Sequence, residues 1–64
     1  MADPVVPPDV LRALEGDSDA KRAFEKLPLS HEREYLKWVV EAKTADTRTR
    51  RIAAMVTRLR TAST

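Results

Sequence analysis

Along this chain the apolar positions recur with the period of an α-helix, and proline and glycine cut the recurrence into four pieces. Pro7-Pro8 opens the first, because proline in the first helical turn gives up no usable donor and arrives with φ preset. Val10, Leu11 and Leu14 supply an apolar side, and Gly16 is expected to end the helix as a left-handed C-terminal residue. Asp17 suits the N-cap of the second piece, with Asp19 near the positive end of the dipole. Ala20, Ala23, Phe24 and Leu27 then fall at i, i+3, i+4 and i+7, and Pro28 closes that helix by pushing Leu27 toward extended geometry.

Ser30 is the expected cap of the third helix, which runs over residues 31–43. His31, Tyr35, Trp38, Val39 and Ala42 share one side of it, and Leu36 and Val40 widen the arc. Arg33, Glu34, Lys37 and Glu41 are left toward solvent. So wide an arc predicts a helix contacted from two directions, the hub of the fold. Thr44 caps the fourth helix, Asp46 complements its dipole, and Ile52, Met55, Val56 and Leu59 form another i, i+3, i+4, i+7 stripe.

The pattern therefore predicts an all-α fold, a small compact bundle of four helices near residues 8–15, 18–27, 31–43 and 45–60, the first one short. Its expected core is Leu11, Leu14, Phe24, Leu27, Tyr35, Trp38, Val39, Ile52, Met55, Val56 and Leu59. Residues 1–64 read as a single domain with flexible ends at 1–7 and 61–64. No strand alternation, internal repeat or low-complexity tract competes with this reading.

Composition narrows the class. Sixty-four residues lie near the lower limit for a domain that folds alone, and 42% hydrophobic residues are too many for a disordered chain. The chain has no cysteine, which excludes disulfides, thiolate metal sites and cysteine catalysis and suits the cytoplasmic location expected here. The first ten residues lack the basic and apolar regions of a secretory signal, and no apolar run approaches the roughly 20 residues that span a bilayer. The formal charge of +2 is unevenly spread: residues 1–32 hold four basic and seven acidic side chains, residues 33–64 eight and three. That asymmetry fits an anionic partner, and it fits equally a fold whose two halves attract each other.

Candidate chemistry is sparse. His31 is the sole imidazole, with no HExxH, phosphate loop or EF-hand pattern beside it, and a lone histidine at a helix start is more often a packing or capping residue. The carboxylate pairs Asp17/Asp19 and Glu32/Glu34 sit at i, i+2, a spacing that points them apart on a helix. No catalytic, cofactor-binding or metal-binding residue is therefore expected. On the fourth helix Arg51 and Arg58 lie beside Thr47, and Lys43 extends this basic stripe across the Thr44 cap. Lys43, Thr47, Arg51 and Arg58 form the candidate interaction surface, suited to an acidic protein, phosphate or anionic lipid. The plainer reading is a solvated charged face of the kind Lys37 and Glu41 make at i, i+4. Arg48 falls on the apolar stripe itself, so its guanidinium must snorkel, pair or stack. It is expected to bridge to helix three near Tyr35 or Trp38.

The stretch Ser30 to Ala53, SHEREYLKWVVEAKTADTRTRRIA, resembles the core of the YdeI/OmpD-associated family, also labelled bacteriocin-protection proteins. The resemblance is carried by Phe24, Leu27, Ser30, His31, Tyr35, Trp38, Ala42, Lys43, Asp46, Thr47, Arg48, Arg50, Arg51 and Ile52, and the Val-Pro and Leu-x-x-Leu upstream fit too. Pro28-Leu29 departs from the usual Ser-Pro order, and Ala45 stands where the family often has proline. The resemblance implies a link to envelope and antimicrobial-peptide stress and assigns no reaction or cofactor. Relatives often carry this module in the C-terminal part of a longer protein, although the starting Met and the caps suit a free-standing one. The resulting expectation is a cytoplasmic, non-enzymatic interaction module with an acidic protein partner. The alternative is a nucleic-acid binder using the basic face of helix four.

Overall fold

Proline and carboxylate side chains set the starts of the first two helices. Pro7 takes the N-cap of α1 (Pro8–Glu15), its carbonyl accepts from Leu11 N at 3.0 Å, and Asp9 stands in the first turn. Two residues later Asp17 caps α2 (Ser18–Lys26), with Oδ1 accepting from Ala20 N at 3.1 Å. Pro28 ends α2 as expected: Leu27 is extended at ψ 142° and continuation is blocked. α3 spans Leu29–Val40, and α4 spans Ala45–Ala62 after a short turn. Thr44 caps α4 through Oγ1, which accepts from Thr47 N at 3.1 Å, and its hydroxyl lies 2.9 Å from Thr47 Oγ1. The computed structural model describes residues 5–62.

The fold is the all-α arrangement of four helices with a short first one, and contacts centre on α4 rather than on α3. The expectation of a hub at helix three is thus corrected, for a reason of length. At 18 residues α4 extends about 27 Å, nearly the long dimension of the molecule, 31 Å. It packs on α1, α2 and α3, and Ile52, Met55 and Leu59 are its buried residues. α3 buries only Leu36 and Val39, while Val40 is 56% exposed. Part of its wide apolar arc lines an open groove instead of a second interface.

The core consists of Val10, Leu14, Ala20, Phe24, Leu36, Val39, Ile52, Met55 and Leu59. Leu11, expected inside, is 43% exposed, because α1 is rotated so that Val10 and Leu14 (i, i+4) face inward. Ala20 and Leu36 join the core unanticipated, while Leu27, Tyr35, Trp38 and Val56 pack half-buried around its rim.

Three local expectations change. Gly16 is right-handed (φ −78°), because its N–H simply completes a helical bond to Arg12 O at 3.1 Å. Ser30 lies inside the first turn of α3, since Pro28 holds the N-cap and its carbonyl accepts from Glu32 N at 3.0 Å. α3 stops at Val40 rather than Lys43, where Ala42 N turns back to Val39 O at 3.2 Å. Of the ends expected to be flexible, Thr61 and Ala62 complete the last turn of α4 and Val6 packs against the core. Residues 1–4 and 63–64 lie outside the described residues.

Candidate functional site

The charge asymmetry between the halves of the chain resolves partly inside the molecule. Arg48 donates from Nε to Asp9 Oδ2 at 2.6 Å and from Nη2 to Oδ1 at 3.1 Å, a two-pronged clamp of α4 onto α1. Arg60 reaches Asp17 at 3.4 Å, tying the end of α4 to the start of α2. The expected bridge from Arg48 to Tyr35 or Trp38 is therefore corrected. The stripe position does force the guanidinium to pair, but the carboxylate within its reach belongs to α1. The Arg48 hydrogen bond holds the Asp9 carboxyl below its ordinary value; desolvation opposes the shift, and the bond from Val10 N to Oδ1 at 3.0 Å adds to it.

Trp38 is engaged by α4 instead through two other arginines. At the end of α3, Glu41 N takes the Lys37 carbonyl and Ala42 N takes that of Val39, which leaves the Trp38 carbonyl without a backbone donor. Arg51 Nη1 supplies one at 2.7 Å, and the same guanidinium lies over the Trp38 ring at 5.5 Å from its centroid. Arg51 is half-buried and acts as a C-terminal cap for α3. Arg58, two turns along α4, also lies over the ring, at 5.6 Å, but is exposed. Thr47 is half-buried with its hydroxyl engaged by Thr44, and Lys43 is exposed. The sequence stripe thus divides into two inward residues, Thr47 and Arg51, and two outward ones, Lys43 and Arg58.

Beside Trp38 runs an open groove of about 370 Å³, lined by His31, Glu34, Tyr35 and Trp38 of α3 and Arg58 of α4. On a helix, residues 31, 34, 35 and 38 share one face, which is why α3 delivers them together. Among the described residues, the side chains of His31, Glu34, Tyr35 and Arg58 make no hydrogen bond or ion pair to one another or to other residues. The groove offers an aromatic wall, a guanidinium whose N–H groups have no acceptor among the described residues, and a carboxylate. A second groove of about the same volume, lined by Asp19, Arg22, Ala23, Lys26, Leu27, Leu59 and Ala62, contains no aromatic residue. No group of three or more His, Cys, Asp or Glu side chains is gathered among the described residues, and no helix there is long and apolar enough to cross a membrane.

Residues 3–61 match the sequence model of the family described as bacteriocin-protection, YdeI or OmpD-associated. The chain belongs to this family. The match covers the first three helices, α4 up to Thr61, and every residue of the groove. No curated protein and no solved structure matches the chain. Sequence reasoning had placed His31, Tyr35 and Trp38 on one helical face but not Glu34 or Arg58 beside them. The spacing of Arg51 and Arg58 does place both guanidiniums on one side of α4, but nothing in it names the Trp38 ring of α3 that this side meets.

Proposed function

We propose that this chain is a small, non-enzymatic protein-interaction module of the cytoplasm, and that its contact surface centres on Arg58 and Trp38. Arg58 carries the reading. Its guanidinium is exposed, held over an indole, and has no carboxylate partner among the described residues. A planar donor fork pre-positioned in this way suits a carboxylate on a partner surface, and exposed Lys43 adds a second cation. The family's description in terms of bacteriocin protection supports a place in responses to peptide or envelope stress. A catalytic role is disfavoured because His31, Glu34 and Tyr35 share the groove without the nucleophile–base hydrogen bond that activation requires.

The alternative, nucleic-acid binding through α4, loses support because Arg51 caps α3, Arg48 pairs with Asp9, and Glu34 adds negative charge to the groove that Arg58 lines. An isolated carboxylate tolerates that neighbour better than a row of phosphates does. Trp38 is the only tryptophan, so its fluorescence reports on the groove. Titration at low salt with a short peptide bearing one carboxylate, on a glutamate or at its C-terminus, is expected to change that emission in the parent protein and not in Arg58→Met. Binding of a short DNA duplex with steep salt dependence, without a response to the peptide, would overturn the reading in favour of nucleic acid.

A further inference from the structure

The groove contains more than a place for one carboxylate. Arg58 offers donors, Trp38 and Tyr35 offer aromatic surface, and Glu34 offers an acceptor, all lining one open space of about 370 Å³. That volume lies at the low end of the roughly 300–1,000 Å³ typical of small-ligand sites, too small for a folded element and adequate for the end of a chain. The charges of the groove are mixed, which makes it a poor match for a polyanion. Its best complement carries one anion, an apolar body next to it, and a hydrogen-bond donor on the same short segment.

We infer that the groove at Trp38 binds the free C-terminus of an extended peptide whose last side chain is apolar. The terminal carboxylate pairs with the Arg58 guanidinium, which can present two N–H groups to it. The last side chain covers the Trp38 and Tyr35 rings, and the N–H of the final residues faces the Glu34 carboxylate. An internal glutamate or aspartate supplies the anion on a flexible stem but does not fix a side chain and an N–H at a set distance from it. A chain end supplies all three from one residue and can leave along the open side of the groove. The site uses a guanidinium on an aromatic ring where other carboxylate-capturing sites use backbone N–H groups. This inference rests on the interaction reading above and specifies the form in which the partner presents its carboxylate.

Heteronuclear NMR titration, read at the Trp38 indole N–H and at backbone amides of α3 and α4, tests it with three probes: acetyl-Ala-Leu-Ala-Leu with a free carboxylate, the same peptide amidated, and acetyl-Ala-Leu-Glu-Leu-Ala-amide. The free-acid peptide is expected to shift the groove resonances saturably at concentrations up to about 1 mM. Amidation should weaken it by about tenfold or more, corresponding to loss of about 1.4 kcal/mol. Arg58→Met should abolish the preference for the free acid, and Arg58→Lys should restore part of it, a point charge replacing a two-pronged donor. The remaining amide pattern shows that each variant is folded. Equal binding of the free-acid and amidated peptides would overturn the inference. Binding of the internal-glutamate peptide alone would overturn it while leaving the interaction reading in place. Silence from all three would overturn both.

Discussion

Arg51 and Arg58 occupy equivalent turns of α4 over the same indole, yet replacing them should have unlike consequences. Arg51→Met keeps the aliphatic stem and removes a charge-assisted hydrogen bond of 2.7 Å to the Trp38 carbonyl. Bonds of this kind contribute about 1.5–3 kcal/mol, and the ring contact adds about 0.5–1 kcal/mol at an exposed site. Because Arg51 is only half-buried, water can reach the vacated carbonyl, so the net cost should be about 1–2 kcal/mol. In a domain of this size that corresponds to a fall in Tm of about 5–15 °C. Arg58→Met removes a ring contact from an exposed residue and nothing else, and should cost no more than that contact, about 0.5–1 kcal/mol. Thermal unfolding followed by circular dichroism at 222 nm, the usual helix wavelength, compares the two directly. Equal melting temperatures for Arg51→Met and the parent would show that the Trp38 carbonyl needs no cap from α4, and the division of the basic stripe would fail.

Other perturbations follow from the same geometry. Met55→Ala empties a fully buried site on the hub helix and should cost about 2–5 kcal/mol, a large part of the stability of a small domain, so that its chemical denaturation midpoint collapses toward zero; half-buried Trp38 should prove less sensitive to truncation than Met55. Gly16→Ala should raise Tm modestly, by about 0.4–1 kcal/mol of stability, because Gly16 is right-handed and a Cβ there would meet its nearest neighbour at an ordinary 3.6 Å; a lower Tm would contradict the observed backbone. Asp9 has its pKa lowered in the folded state by Arg48, so its contribution to stability is present above the unfolded aspartate value and lost as pH falls below about 4. Asp9→Asn should therefore destabilise at neutral pH and flatten the acid side of the stability profile, which denaturation at a series of pH values would show.

Much of the fold was legible because local chemistry and tertiary packing agree. Asp17 and Thr44 cap the helices their positions suggested, and Pro28 ends α2. Expectation and structure part where the sequence carries two compatible signals. Val10 and Leu11 are both apolar neighbours of Leu14, and only the docking of α1 selects Val10. His31, Tyr35 and Trp38 look like an interior face by residue type, yet they line a groove because α4 approaches from the side of Leu36 and Val39. The stripe position of Arg48 calls for a partner, but spacing within one helix carries no record of which other helix presents a carboxylate. Arg51 shows the converse: a cation on a basic stripe is drawn inward by a carbonyl left over at the end of another helix.

The groove between α3 and α4 as the contact surface is the central claim, and its most direct measurement is the location of the chemical-shift changes caused by a carboxylate-bearing peptide. The largest changes should fall on the Trp38 indole N–H, the Arg58 side-chain Nε–H and the amides of Glu34 and Tyr35, while the second groove at Lys26 and Leu27 stays silent. Changes centred on Lys26 and Leu27, or scattered over the surface without saturation, would contradict the account.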